Sequence, residues 1–216
     1  MLILVPGVAG NIGYDRLLSG LASAGIDRRV EIDSWGAPAI LLFLNFQTTS
    51  IHQAAEKALA QRIEQIADDH RGLPIDLIGH SAGCGVILGA LPQLPPGLQV
   101  RTVILLAPSV SPTYDVAPSL PHVSDHVHVF FSPYDRFFLS WRTSTFGTYD
   151  NIRTRAAGNS GFAGPSAASP ILIQHPYDPA WKSLGNDGSH TGTLAQPFAK
   201  SILAPLLMTS PHDKKD

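Results

Sequence analysis

Apolar and polar positions follow two rhythms along the chain, and the switches between them mark its elements. Leu2 to Val5 is a short apolar run closed by Pro6 and Gly7, the form expected of a strand covered on both faces. Tyr14 to Ala24 changes to helical spacing, with Leu17, Leu18 and Leu21 on one side and Gly25 as a stop. Val30 to Ile32 reads as a second strand. A long helix is predicted from about Thr49 to His70, where Ile51, Ala55, Leu59, Ile63 and Ile66 make an apolar stripe that Gly72 and Pro74 end. Ile75 to Ile78, Thr102 to Leu106, Val127 to Phe131 and Ile171 to Gln174 bring the strands to six. Cys84 to Leu91 is the helix after the third strand. A last helix runs from about Leu194 to Leu207, and Pro197 and Pro205 must bend or shorten it.

Strands that alternate with helices imply an α/β fold, a mostly parallel six-stranded sheet with helices on both faces. The segments 109–122 and 158–170, rich in Pro, Gly, Ala and Ser, read as loops. At 216 residues with no internal repeat, residues 1–208 form one expected domain, and 209–216 a solvated tail.

Composition narrows the partner. A net charge of -2 without a Lys/Arg cluster leaves no electrostatic footprint for nucleic acid or an anionic membrane, so a small or neutral molecule is expected. No apolar run approaches the roughly 20 residues of a transmembrane helix. The opening MLILVPG has no basic segment before it and reads as a strand, not a signal peptide. A cytoplasmic location is expected. The single cysteine, Cys84, cannot form an intramolecular disulfide and reads as packing.

Chemistry concentrates in DLIGHSAGCG, residues 76–85. Gly79-His80-Ser81-Ala82-Gly83 matches G-x-S-x-G between an apolar strand and an apolar helix, the context in which that pattern forces a sharp turn and lifts the serine hydroxyl above the sheet. The helix start after it offers unpaired N–H groups to developing negative charge.

On these residues the chain resembles the α/β-hydrolase family, and the resemblance extends to two later positions. The family orders its triad as nucleophile, acid and histidine. Asp135 follows the strand in HVHVFFSPYDRF, and His190 in GNDGSHTG follows the last strand. The resemblance implies Ser81 as nucleophile, His190 as base and Asp135 as its orienting acid. It further implies an oxyanion hole from the N–H groups of Ala82 and Val8, the latter in the VPGVAGN loop, where Pro6 replaces the family's histidine. A carboxylic ester, small or lipid-like, is the implied substrate, with thioesters and acyl transfer left open because the elbow defines how an acyl group is attacked and not which one; no cofactor or metal is implied. The form is a reduced one, six-stranded and without a cap, leaving the aromatic run RFFLSWRTSTF and the loop 109–122 to set specificity.

Other assignments compete. His175 follows the strand ILIQ directly and rivals His190; Asp115 and Asp178 are rivals for Asp135. Gly7, Gly10 and Gly13, with Asp33 after the second strand, resemble the nucleotide loop of short-chain dehydrogenases. None of the five tyrosines, Tyr14, Tyr114, Tyr134, Tyr149 and Tyr177, has the lysine four residues on that those enzymes require. His122, His126 and His128 lack a convincing further ligand for a metal. A binding protein on a hydrolase scaffold is the third class.

Overall fold

The computed structural model describes residues 1–8, 13–36, 49–135 and 148–208. Six strands, β1 (Leu2–Val5), β2 (Val30–Ile32), β3 (Asp76–His80), β4 (Val103–Leu106), β5 (Val127–Phe131) and β6 (Leu172–Pro176), form one sheet in the order β2-β1-β3-β4-β5-β6. Every pairing is parallel. Their continuous apolar runs have a physical reason, since each face of the sheet is covered. Ile3, Val5, Leu77 and Leu105 pack with Leu59, Ile63 and Ile66 of helix α2 (Thr49–Asp69) and with Val86 and Ile87 of α3 (Gly83–Ala90). Leu2, Leu4, Ile78 and Leu106 pack on the opposite face with Leu17 and Leu21 of α1 (Tyr14–Ser23) and with Phe198 and Leu203 from the C-terminal helical region. Neighbouring residues of one strand thus feed opposite cores, as a two-residue period dictates. Full burial of each Leu or Ile contributes about 1.5–3 kcal/mol, which anchors α2 although its outer face is polar.

Some boundaries differ from the sequence expectation. Strand β3 extends to His80 and so runs directly into Ser81. Strand β2 stands at the sheet edge, leaving Val30 and Ile32 partly exposed. The segment 158–170 is not wholly irregular, because a helical turn occupies Ala157–Ser160 and a 3-10 turn Pro165–Ala168. The last helix is divided into Gln196–Phe198, a π-helical stretch Ala199–Leu203, and Ala204–Met208. Pro197 sits in the first turn, where its missing N–H has no intrahelical acceptor to lose. Ahead of Pro205 the wide π turn relieves the clash between its ring and the preceding turn. Gly10, the aromatic run 136–146 and the tail 209–216 lie outside the described residues.

Chain direction positions a site. From β1 the chain moves outward to β2, then crosses back to β3 on the other side of β1. That reversal makes the C-terminal ends of β1 and β3 a topological switch point, the place where open α/β sheets bind their ligands. The Pro6-Gly7-Val8 segment follows β1 there, and Ser81 follows β3.

Candidate active site

Ser81 has φ 57°, a left-handed conformation that non-glycine residues rarely adopt. Such a residue costs about 1–3 kcal/mol and persists only where its surroundings enforce it. Here Ser81 N–H donates to the Leu106 carbonyl (2.9 Å), while the Ser81 carbonyl accepts from Ser109 N–H (3.1 Å) and Cys84 N–H (3.2 Å). Space enforces the rest. A Cβ on Gly83 would lie 2.2 Å from the Val5 carbonyl oxygen, and one on Gly79 would lie 2.9 Å from Ile87 Cδ1. Both glycines of the motif are therefore required by close packing under the turn. Cys84 is fully buried, its Sγ 3.5 Å from the Leu106 carbonyl, and burial pushes its thiol pKa well above the ordinary range. It is packing, not a nucleophile.

The loop after β1 closes on the serine. A Cβ on Gly7 would stand 3.1 Å from Ser81 Cβ and 3.6 Å from its Oγ. Trp35 Nε1 donates to the Pro6 carbonyl (2.8 Å), and Gly7 N–H donates to the Tyr14 hydroxyl (2.8 Å). Pro6 has no N–H and that of Gly7 is taken, so Val8 carries the first N–H of this loop without an acceptor among the described residues. Ala82, at the start of α3, is likewise without one.

Asp135 and His190, 55 residues apart in sequence, meet through a buried hydrogen bond, with His190 Nδ1 2.7 Å from Asp135 Oδ2. Each sits on a braced turn. Asp135 N–H donates to the Ser132 carbonyl (3.2 Å), and the buried Asn159 amide donates to the Asp135 carbonyl (2.6 Å). Ahead of His190, the Asn186 and Asp187 side chains accept from Gly188 N–H and Ser189 N–H, both at 3.0 Å. Gly188 has φ 81°, and a Cβ on it would meet Ser132 Oγ at 2.8 Å, so the histidine loop rests directly on the acid loop. The bond between Ser189 and Asp187 holds that carboxyl below its ordinary pKa.

The His190 backbone also reaches the elbow. His80, immediately before Ser81, places Nε2 2.9 Å from the His190 carbonyl and Nδ1 2.9 Å from the Tyr14 hydroxyl. Sequence pattern singles out neither His80 nor Tyr14 for the site, nor Asn159. The only signal was that His80 lies inside the G-x-S-x-G stretch.

The rival residues lie elsewhere. His175 Nε2 is 3.0 Å from His128 Nδ1, and its ring stacks on Phe130 at 4.5 Å. Asp178 caps the 3-10 turn Pro179–Leu184, and Asp115 accepts from Ala117 N–H. His126 pairs with Asp125 at 2.5 Å and His122 Nδ1 lies 3.0 Å from the Leu98 carbonyl. Among the described residues no group of three or more His, Cys, Asp or Glu could hold a metal ion. Asp33 donates its N–H to the Leu4 carbonyl at the sheet edge. No helix among the described residues is long and apolar enough to cross a membrane.

Comparison with curated proteins gives no match. Among solved structures, the NocB thioesterase domain in covalent complex with a fluorophosphonate nocardicin G analogue is similar at 18% identity, covering 96% of this chain and 94% of that one, with a TM-score of 0.50. The type II thioesterase YbtT of the yersiniabactin NRPS/PKS biosynthetic pathway is similar at 15% identity over 98% of this chain and 92% of that one, also with a TM-score of 0.50. The carboxylesterase CesB from Bacillus subtilis matches at 11% identity over 96% and 83%, with a TM-score of 0.48. At such identities the likeness concerns the fold. A family model described as an alpha/beta hydrolase of unknown function (DUF900) matches residues 21–146, a stretch that contains both Ser81 and Asp135. With more than half of its length matched by that model, and the six-stranded parallel sheet to go with it, the chain belongs to the alpha/beta hydrolase family DUF900.

Proposed function

We propose that this protein is a serine hydrolase that cleaves carboxylic esters through an acyl-enzyme. The observation that carries the reading is the buried 2.7 Å bond between Asp135 and His190, in a loop that also hydrogen-bonds the residue preceding the strained Ser81. Ser81 Oγ attacks the ester carbonyl while His190 Nε2 takes the hydroxyl proton. Asp135 Oδ2 accepts from His190 Nδ1–H, which fixes the tautomer with Nε2 as base and steadies the imidazolium.

The carbonyl oxygen becomes an oxyanion that the N–H groups of Val8 and Ala82 receive; one such donor is worth about 10²–10³ in rate. Collapse of the tetrahedral intermediate breaks the ester C–O bond, and His190 returns the proton to the departing alcohol. Water, deprotonated by His190, then attacks the acyl-enzyme and releases the acid with Ser81 restored. The substrate is a small-molecule or lipid-like ester, and these steps call on no cofactor.

Chromogenic esters of increasing acyl length test this on wild type, Ser81→Ala, His190→Ala and His175→Ala. Wild type should turn over at least one ester, and Ser81→Ala and His190→Ala should each lose at least about 10³-fold in kcat. His175→Ala should keep wild-type turnover. Failure of wild type on every ester would contradict the reading, and an active His190→Ala beside a dead His175→Ala would move the base to His175.

A further inference from the structure

Four groups form one buried line of hydrogen bonds: Gly7 N–H to the Tyr14 hydroxyl, that hydroxyl to His80 Nδ1, and His80 Nε2 to the His190 carbonyl. The chemistry of the two ends fixes every proton in between. A carbonyl can only accept, so His80 Nε2 carries a hydrogen and donates to His190. The ring is neutral, because burial first, and the nearby His190 next, push its pKa down to about 3. Its Nδ1 therefore has a lone pair, which must receive the Tyr14 proton. Tyr14 can supply it because its oxygen takes Gly7 N–H through a lone pair. Burial raises the Tyr14 pKa to about 12, which keeps the phenol protonated. Each group thus has one arrangement, and each bond polarises the next in the same sense.

We propose that Tyr14 and His80 form a positioning relay that holds the loop after β1 and the loop bearing His190 in one register around Ser81. This rests on the serine-hydrolase reading. The relay touches neither the substrate nor the reacting atoms. It acts through its two ends: Gly7 is followed by Val8, whose N–H is the oxyanion donor of that reading, and His190 supplies the base. It also explains why the first middle position of G-x-S-x-G is a histidine here: a ring with one donor and one acceptor at opposite edges bridges the two loops. Gly7 in turn must lack a side chain to approach Ser81 while giving its N–H to Tyr14.

The test compares Tyr14→Phe, His80→Leu and His80→Gln with wild type and Ser81→Ala. It measures kcat and KM on the best ester, kcat per site counted with a fluorophosphonate, and the thermal midpoint. Tyr14→Phe should lower kcat about 10-fold and His80→Leu about 100-fold with KM within about 2-fold, as expected when a preorganised geometry is loosened. His80→Gln should recover most of the loss, because its amide can still donate to the His190 carbonyl. Amide exchange reads the same relay without substrate: in Tyr14→Phe both Gly7 and residues 186–192 should exchange faster.

A lowered midpoint with unchanged kcat per site in both Tyr14→Phe and His80→Leu would overturn the relay, as would faster exchange at Gly7 alone. Ser81→Ala as active as wild type would instead overturn the hydrolase reading beneath it.

Discussion

Ser81 and Asp135 are legible as candidates because each stands just past an apolar strand, and His190 because it lies between the last strand and the final helix; a parallel sheet sends the segments leaving its strands to one edge. The left-handed φ at Ser81 sits between the two glycines that mark the motif, each of which lets the turn pack closely. Tyr14, His80 and Asn159 were not legible. Their parts depend on contacts across 66, 110 and 24 residues, and no local spacing encodes them. The burial that makes His80 a neutral bridge also has a cost in acid. Its folded pKa of about 3 lies below the ordinary 6.5, so below pH 6.5 the unfolded chain binds a proton that the native state refuses.

Stability is then fully present above pH 6.5 and is lost as the pH falls toward 3. His128, pushed down to about 4, and His175 act in the same direction, burial being the main cause in both. From His80 alone the loss at pH 4.5 is about 2–3 kcal/mol. Urea unfolding at pH 7 and 4.5 should show this loss in wild type and a smaller one in His80→Gln. Equal losses in the two would refute it.

At the scale of elements, the sheet was legible because burial on both faces turns strands into continuous apolar runs, and α2 because its stripe keeps a helical period. What the pattern could not carry was polar burial. Asp76, the first residue of β3, is fully buried and accepts from Arg101 Nε (2.8 Å), Arg101 Nη2 (2.7 Å), Thr102 N–H (3.2 Å) and Arg28. The same two arginines donate to the Leu207 carbonyl, each at 2.8 Å, so this cluster ties the base of β3 to the last helix. The apolar pattern of Ile75 to Ile78 passes over this carboxylate without giving it a role, and here it is a fastening. Asp76→Ala would leave Arg101 charged and almost buried without its carboxylate, which should cost about 3–5 kcal/mol in chemical denaturation. A loss below about 1 kcal/mol would mean that solvent reaches these arginines readily.

For the whole molecule, the strand order decides what can meet. Because β1, β3, β5 and β6 run parallel, the segments that leave their upper ends carry Val8, Ser81, Asp135 and His190 to one side of the sheet. Topology brings these loops to one edge, and the hydrogen bonds among them supply the register. The proposed chemistry predicts that the activated serine is unique. Intact-protein mass spectrometry after exposure to a fluorophosphonate, followed by peptide mapping, tests this most directly. One adduct per chain on Ser81, absent from Ser81→Ala, is the result the account predicts. No adduct on the folded wild type, or an adduct on another residue that persists in Ser81→Ala, would contradict it.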